Sequence, residues 1–216
     1  MTADFAMPDP GTLVPSTLAP VPLAPVPLPG ADLLYAPRWL DVAAADDLLA
    51  ALLVQVPWHV HHIRLFGREV ASPRLSCWIG DPGAAYRYSG ALFEPHPWPP
   101  ALRALRAQLD SACGTAFNSV LANRYRNGSD AMGWHSDDER ELGPRPVIAS
   151  LSLGATRRFA LKSRAKDGGR LALDLSHGSL VLMRGDTQRN YRHALPRTVR
   201  PVGERINLTF RTIRSG

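Results

Sequence analysis

Three stretches of the 216-residue chain combine residue types and spacings suited to chemistry. The first is Trp134-His135-Ser136-Asp137-Asp138-Glu139. His135 and Asp137 stand two apart, so an extended backbone sends both side chains out of the same face. An imidazole beside a carboxylate makes two corners of a 2-His-1-carboxylate facial triad, a donor set that suits Fe(II) and leaves three coordination positions open. His-x-Asp alone is a common pair, and a third donor must come from elsewhere. The C-terminal part offers His193, in Tyr191-Arg192-His193-Ala194-Leu195-Pro196. The remaining histidines, His59, His61, His62, His96 and His177, have no acidic or cysteine partner at a recurrent ligand spacing. They read as surface or hydrogen-bonded structural residues.

The second stretch is Arg205-Ile206-Asn207-Leu208-Thr209-Phe210-Arg211, which alternates strictly. A period of two marks a strand with one apolar and one polar face. Ile206, Leu208 and Phe210 then belong to the core, while Arg205, Asn207, Thr209 and Arg211 share the other face. Two arginines and an asparagine turned into a barrel mouth are costly unless an anion meets them. Arg205 and Arg211 lie roughly 20 Å apart along a strand at about 3.3 Å per residue, and their long arms can converge on a small dicarboxylate between them. A guanidinium fork fits a carboxylate. The alternative is a solvated edge strand with its polar residues outward. The third stretch, Arg157-Arg158 followed by Lys162-Ser163-Arg164-Ala165-Lys166-Asp167-Gly168-Gly169-Arg170, holds six cations against one acid. A strand pair joined by a Gly-Gly turn with this charge suits phosphate contacts, which orient a duplex without reading its sequence; a solvated hairpin is the alternative.

These residues need elements to position them. Leu40, Leu48, Leu49, Leu52, Leu53 and Val56 recur at helical spacing, with Asp41 placed to cap and Pro57 ending the run. A second helix begins at Pro99-Pro100, carries Leu102, Leu105, Leu109 and Ala112 on one stripe, and stops at Gly114. Between them, Ile63–Val70 and Tyr86–Tyr88 read as short strands around turns at Gly67 and Gly83. After these come strands at Ser119–Tyr125, Val147–Leu153, Arg158–Lys162, Leu171–Leu175, Ser179–Met183 and Arg205–Ile213. Short strands with polar turns and no intervening helices predict an antiparallel sandwich or barrel. Residues 1–30 hold eight prolines. Without amide donors they can form neither a helix nor a central strand, and they are expected to be an extended, disordered leader to a single domain over 31–216.

Composition narrows the class. Apolar residues make up 45% and charged residues 20%, which excludes a disordered or collagen-like chain. There is no apolar run long enough for a transmembrane helix and no basic-then-apolar signal peptide. Two cysteines, Cys77 and Cys113, suit a reducing compartment. The expectation is a cytoplasmic monomer that meets no membrane. Charge is uneven: residues 1–140 carry 10 Lys/Arg against 14 Asp/Glu, and residues 141–216 carry 15 against 5. A basic C-terminal half points to an anionic partner, nucleic acid first; a compositional bias of the genome is the other explanation.

Taken together, Asn123-Arg124-Tyr125, His135-Ser136-Asp137, His193 and Arg205-x-Asn207-Leu208-Thr209-Phe210-Arg211 resemble the AlkB family of Fe(II)/2-oxoglutarate-dependent nucleic-acid demethylases, over about Arg64 to Ile213. The resemblance implies a mainly β fold with flanking helices (α+β): a double-stranded β-helix, or jelly roll, with N-terminal helices and substrate-recognition hairpins. It implies that His135, Asp137 and His193 ligate iron and that Asn123, Tyr125, Arg205, Asn207 and Arg211 hold 2-oxoglutarate. The implied reaction uses O₂, converts the cosubstrate to succinate and CO₂, and hydroxylates an N-methyl carbon so that formaldehyde leaves the repaired base. A methylated Watson–Crick edge is hidden in a duplex, so the base must be flipped out.

The similarity is greatest to the double-stranded DNA repair subgroup. By that likeness Phe66 is an apolar wedge in the stack, with a core contact as its alternative. Tyr86 and Tyr88 line the base pocket, Tyr88 stacking on the base opposite His135, with ordinary packing as the alternative. Asp138 accepts a hydrogen bond from an exocyclic amino group, and Glu139 is a further candidate; a plain acidic turn is the other reading. Arg157, Arg158, Lys162, Arg164 and Lys166 contact phosphates. Ser136 departs from the animal double-strand repair enzymes, which carry a cation there. The expected substrate is alkylated DNA bearing N1-methyladenine or N3-methylcytosine. The alternatives are the same chemistry on RNA, a protein side chain or a small metabolite, and a non-catalytic basic barrel that binds nucleic acid.

Overall fold

A computed structural model describes residues 21–65, 68–88 and 91–214. Strands β1 (Ala24–Pro25) and β2 (Asp32–Ala36) precede helix α1 (Val42–Gln55). The Asp41 carboxylate accepts from the Ala44 amide at 2.8 Å and so caps α1. Then come β3 (His59–Leu65), β4 (Arg68–Gly80), β5 (Tyr86–Tyr88), β6 (Ala91–Phe93) and helix α2 (Pro100–Cys113), which opens on proline and ends at Gly114 with φ 64°. The C-terminal half holds β7 (Ser119–Tyr125), β8 (Met132–His135), β9 (Ile148–Gly154), β10 (Arg157–Ser163), β11 (Arg170–Leu175) and β12 (Ser179–Arg184). It closes with the short α3 (Thr187–Asn190), β13 (Tyr191–Leu195) and β14 (Arg205–Arg211).

Strands of the C-terminal half are divided between two antiparallel sheets. The large one runs β1-β2-β12-β9-β14-β7-β4-β3 and the small one β11-β10-β13-β8. On one face of the large sheet, Leu52 of α1 and Leu102 and Leu109 of α2 join Leu151, Leu180, Ile206, Leu208 and Phe210 in the main core. On its other face, Ile148, Val181 and Met183 meet Phe159, Leu161 and Leu175 of the small sheet in a second core. This layering of helices, large sheet and small sheet is the jelly roll with flanking helices that the sequence predicts.

The alternation in β14 is realised. Its apolar residues face the helices and its polar ones face the small sheet. β14 is a central strand, held between β7 and β9, and all seven of its residues are buried. That overturns the solvated-edge alternative. The leader requires a correction. Residues 21–30 are not a loose extension: Ala24 and Pro25 pair with Tyr35 and Leu34, Leu28 is buried in the second core, and the Tyr191 hydroxyl donates to the Pro29 carbonyl at 2.5 Å. Prolines are tolerated at this sheet edge because only one side of the strand needs donors.

Candidate metal and cosubstrate site

β8 and β13 are neighbours, and their register sets His193 directly opposite His135. Their rings meet edge-on at 4.2 Å between centroids. Asp137 follows two residues after His135, and one donor atom from each of the three lies within 4.8 Å of the others. The Nε2 atom of His135 is 3.8 Å from Asp137 Oδ1, and that of His193 is 3.9 Å from Asp137 Oδ2. His135 Nδ1 donates to the Gly133 carbonyl at 2.9 Å, which leaves the Nε2 lone pair aimed at the shared centre. Outer contacts of this kind orient metal-binding imidazoles. Asp137 is pinned as well. Its amide donates to Gln188 Oε1 at 2.9 Å, and its Oδ1 accepts from Arg211 Nη2 at 2.8 Å.

Asp137 Oδ2, by contrast, is buried with no hydrogen-bond partner among the described residues. An orphaned carboxylate oxygen pays its desolvation penalty without return, and a cation between the two imidazoles removes the deficit. Burial, helped by the neighbouring His135, pushes His193 down to about 3, so it is a neutral donor at neutral pH. Burial works against ionising Asp137, but Arg211 first, then the two histidines, hold its carboxyl well below the usual range. These are the protonation states that a metal requires, and the donor set fits Fe(II).

The cosubstrate wall rises beside this triad. Register places Arg205 opposite Tyr125 and Asn207 opposite Asn123 across β14 and β7, so all four side chains share one face. Arg205 is 2% exposed; its Nη2 donates to Ser152 at 2.9 Å, while Nε and Nη1 are buried with no hydrogen-bond partner among the described residues. Its guanidinium lies 5.2 Å from the centre of the Tyr125 ring. Burial draws Arg205 down to about 10, which still leaves it cationic at neutral pH. A buried cation with partnerless N–H groups is an anion site. Asn207 is fixed by donating to Ser150 Oγ and the Leu151 carbonyl, and its Oδ1 accepts from Thr209.

The two arginines face one cavity from opposite ends of β14. Arg211 serves the metal end through Asp137, and Arg205 stands at the far end of the same strand. One cavity, lined by His135, Asp137, His193, Asn123, Arg205 and Arg211, joins the two ends.

Two supporting residues escaped the sequence reading. Arg74 of β4, 7% exposed, donates through Nε to Asn123 Oδ1 at 2.6 Å and through Nη1 to Ser72. Its signal was the polar alternation Ser72, Arg74, Ser76. Gln188, which holds the Asp137 amide, sits on a four-residue helix that leaves no periodic trace.

The predicted nucleic-acid residues separate into groups. Phe66 and the side chains of Tyr86 and Tyr88 lie outside the described residues. Arg157 is a correction: it is 3% exposed, and its guanidinium donates to the carbonyls of Asn127, Asp130 and Pro196, so it is a structural tie and cannot meet phosphate. Arg158, next to it, points outward and pairs with Asp174 at 3.3 Å. Lys162 lies 4.2 Å over the Trp134 ring, Arg164 pairs with Asp138, and Lys166 is exposed in the β10–β11 turn. Glu139 is partly buried just before the 3₁₀ turn Arg140–Leu142.

A jelly roll with two imidazoles and a carboxylate at one end of its cavity, and a buried arginine at the other, defines a 2-oxo-acid-dependent non-haem iron protein. Residues 32–211 match the 2OG-Fe(II) oxygenase superfamily. The chain is 40% identical over 186 residues to human alpha-ketoglutarate-dependent dioxygenase alkB homolog 3, covering 82% of this chain and 64% of the relative. It is 39% identical over 181 residues to human DNA oxidative demethylase ALKBH2, covering 79% and 69%, and 38% identical over 210 residues to the Arabidopsis thaliana ALKBH2, covering 85% and 67%. The chain thus spans about two thirds of the length of these relatives. The solved structure of OsALKBH1 superposes over 88% of this chain and all of that one with a TM-score of 0.55 at 16% identity, a likeness of fold. The chain belongs to the 2OG-Fe(II) oxygenase superfamily and, within it, to the AlkB family, whose cofactors are Fe(II) and 2-oxoglutarate.

Proposed function

We propose that this protein repairs DNA by oxidative demethylation of N1-methyladenine and N3-methylcytosine. The observation that carries the reading is the shared cavity: a facial triad with an orphaned carboxylate oxygen at one end, and a buried guanidinium with two partnerless nitrogens at the other. The names of its relatives, DNA oxidative demethylases among them, support a nucleic-acid substrate.

Bound iron, with 2-oxoglutarate and O₂, supplies hydroxylation of an N-methyl carbon, after which formaldehyde leaves the base. The protein's own part is placement. His193 presents a neutral nitrogen, His135 aims its Nε2 at the same centre, and Asp137 is kept ionised by Arg211. Arg205 and Asn207, with Tyr125 and Asn123 opposite them and Arg211 further along the strand, would hold the cosubstrate. Phe159, packed 5.3 Å from the His193 ring, helps keep water out of the cavity. A flipped base enters beside His135, with Tyr86 and Tyr88 lining its pocket, Asp138 accepting from its exocyclic amine, and Phe66 filling the gap in the stack.

The test is incubation of the Fe(II)-loaded protein with 2-oxoglutarate and oligonucleotides carrying one N1-methyladenine, as single-stranded DNA, duplex DNA and RNA. Formaldehyde release from DNA, in step with succinate, is the expected result. Release from RNA alone would move the substrate, and release from none would overturn the reading.

A further inference from the structure

The outer face of the small sheet carries a pattern that the cavity does not use. Because side chains alternate along a strand, the strand that turns His135 inward turns Trp134 outward, and Trp134 is 45% exposed. Its neighbours across the sheet follow from register: Lys162 of β10 lies directly opposite Arg170 of β11 on one side and Arg192 of β13 on the other. Three cations therefore stand in a row across adjacent strands about 4.8 Å apart. Like charges directly opposite one another destabilise a sheet. None of the three forms an ion pair among the described residues, whereas Arg158 on the same face has Asp174. The next row contains only small residues, Ala172, Ala160 and Ala194, again in register. Ala172 of this row is exposed and Ala194 is buried, and beside them the Lys162 ammonium lies over the Trp134 ring at 4.2 Å.

A cationic row without an ion pair, next to an exposed indole, has the chemistry of a single-strand docking surface: cations for phosphates, an aromatic face for a base. Its position agrees. β8 is the edge strand of the small sheet, so a strand that delivers a nucleotide to the inner side at His135 has only this edge to round before meeting Trp134. We propose that the outer face of the small sheet docks the DNA strand flanking the target nucleotide, with a base stacked on Trp134 and phosphates on Lys162, Arg170 and Arg192. This rests on the demethylase reading for the identity of the strand and adds Trp134, Arg170 and Arg192 to the residues that meet it.

The experiment is binding of unmethylated oligodeoxythymidine, which has no lesion for the base pocket to hold, to the full-length protein across a salt series. For single strands each phosphate contact contributes about 0.7 to the slope of log affinity against log salt. Lys162→Ala with Arg192→Ala is expected to lower that slope by about 1.4. Arg103→Ala, on α2 beyond the far face of the large sheet, is expected to leave it unchanged. Quenching of tryptophan fluorescence by the oligonucleotide should shrink in Trp134→Ala and largely survive when Trp98, buried in the main core, is replaced by Phe. Thermal melts of each variant establish that it is folded. An unchanged slope in the folded double variant, or undiminished quenching in Trp134→Ala, overturns the proposal. The demethylase reading fails separately: wild-type protein that shows the slope and the quenching yet releases no formaldehyde from methylated DNA keeps the surface and loses the reaction.

Discussion

The small sheet has two faces built from the same four strands, and they differ in burial and charge. Inward, His135, His193 and Phe159 line the cavity and Leu161 packs in the second core. Outward, one residue along, Trp134, Arg192, Arg158 and Lys162 stand at the surface. The difference is parity alone. Arg157 and Arg158 make it plainest: adjacent in sequence and identical in type, one is buried as a donor to three carbonyls and the other is screened by water beside Asp174. Charge on a strand says little until its face is known.

The contrast can be broken most forcefully from inside. Asp137→Ala removes the ligand both imidazoles share, and iron affinity should fall by more than about a hundredfold, beyond what losing a supporting contact costs; metal titration measures it. Arg205→Ala should weaken 2-oxoglutarate by roughly 30-fold or more, the range for truncating one side of a buried charge pair, read by calorimetry on the Fe(II) protein. Next comes the arginine pair. Arg157→Ala removes a buried guanidinium that ties three carbonyls, that of Asp130 buried, and should destabilise by about 2 kcal/mol, whereas Arg158→Ala should stay within about 0.5 kcal/mol; urea unfolding of both variants gives the comparison directly. Equal losses would mean that parity does not separate them.

The smallest effect concerns pH. Burial is the main reason His61 sits below its ordinary 6.5, with His59, Arg74 and His96 adding to it and a bond to the Ser76 carbonyl opposing. A base depressed in the folded state binds fewer protons than in the unfolded chain. Its contribution is therefore complete above about 6.5 and is lost as the pH falls below that value. His61→Gln should flatten the decline of the melting temperature on the acid side of neutrality.

How much of this was legible in the sequence depended on how local the determining signal is. β14 was readable because seven residues alternate between extremes, and the structure places every one on its expected face. His135 and Asp137 were readable as a pair, since two residues of extended chain fix their relation. His193 was not, because its place opposite His135 comes from the pairing of distant strands; resemblance supplied it, and register explains it. Arg157 was misplaced by reading it with Arg158 as a patch, although it shares parity with Phe159 and Leu161, both in the second core. The prolines before residue 30 ruled out helix and central strand correctly, but a two-residue edge pairing needs too few donors to be seen in composition. Arg74 was missed because a lone arginine among serines looks like a surface residue until its strand is known to be buried between β3 and β7.

The most direct test of the central claim is the affinity of 2-oxoglutarate measured by anaerobic calorimetry with and without Fe(II). If the triad and Arg205 hold the two ends of one cosubstrate, iron should tighten its binding by about tenfold or more, and Asp137→Ala should remove that gain while Arg205 still contributes. Equal affinity with and without iron in the wild-type protein would contradict the arrangement.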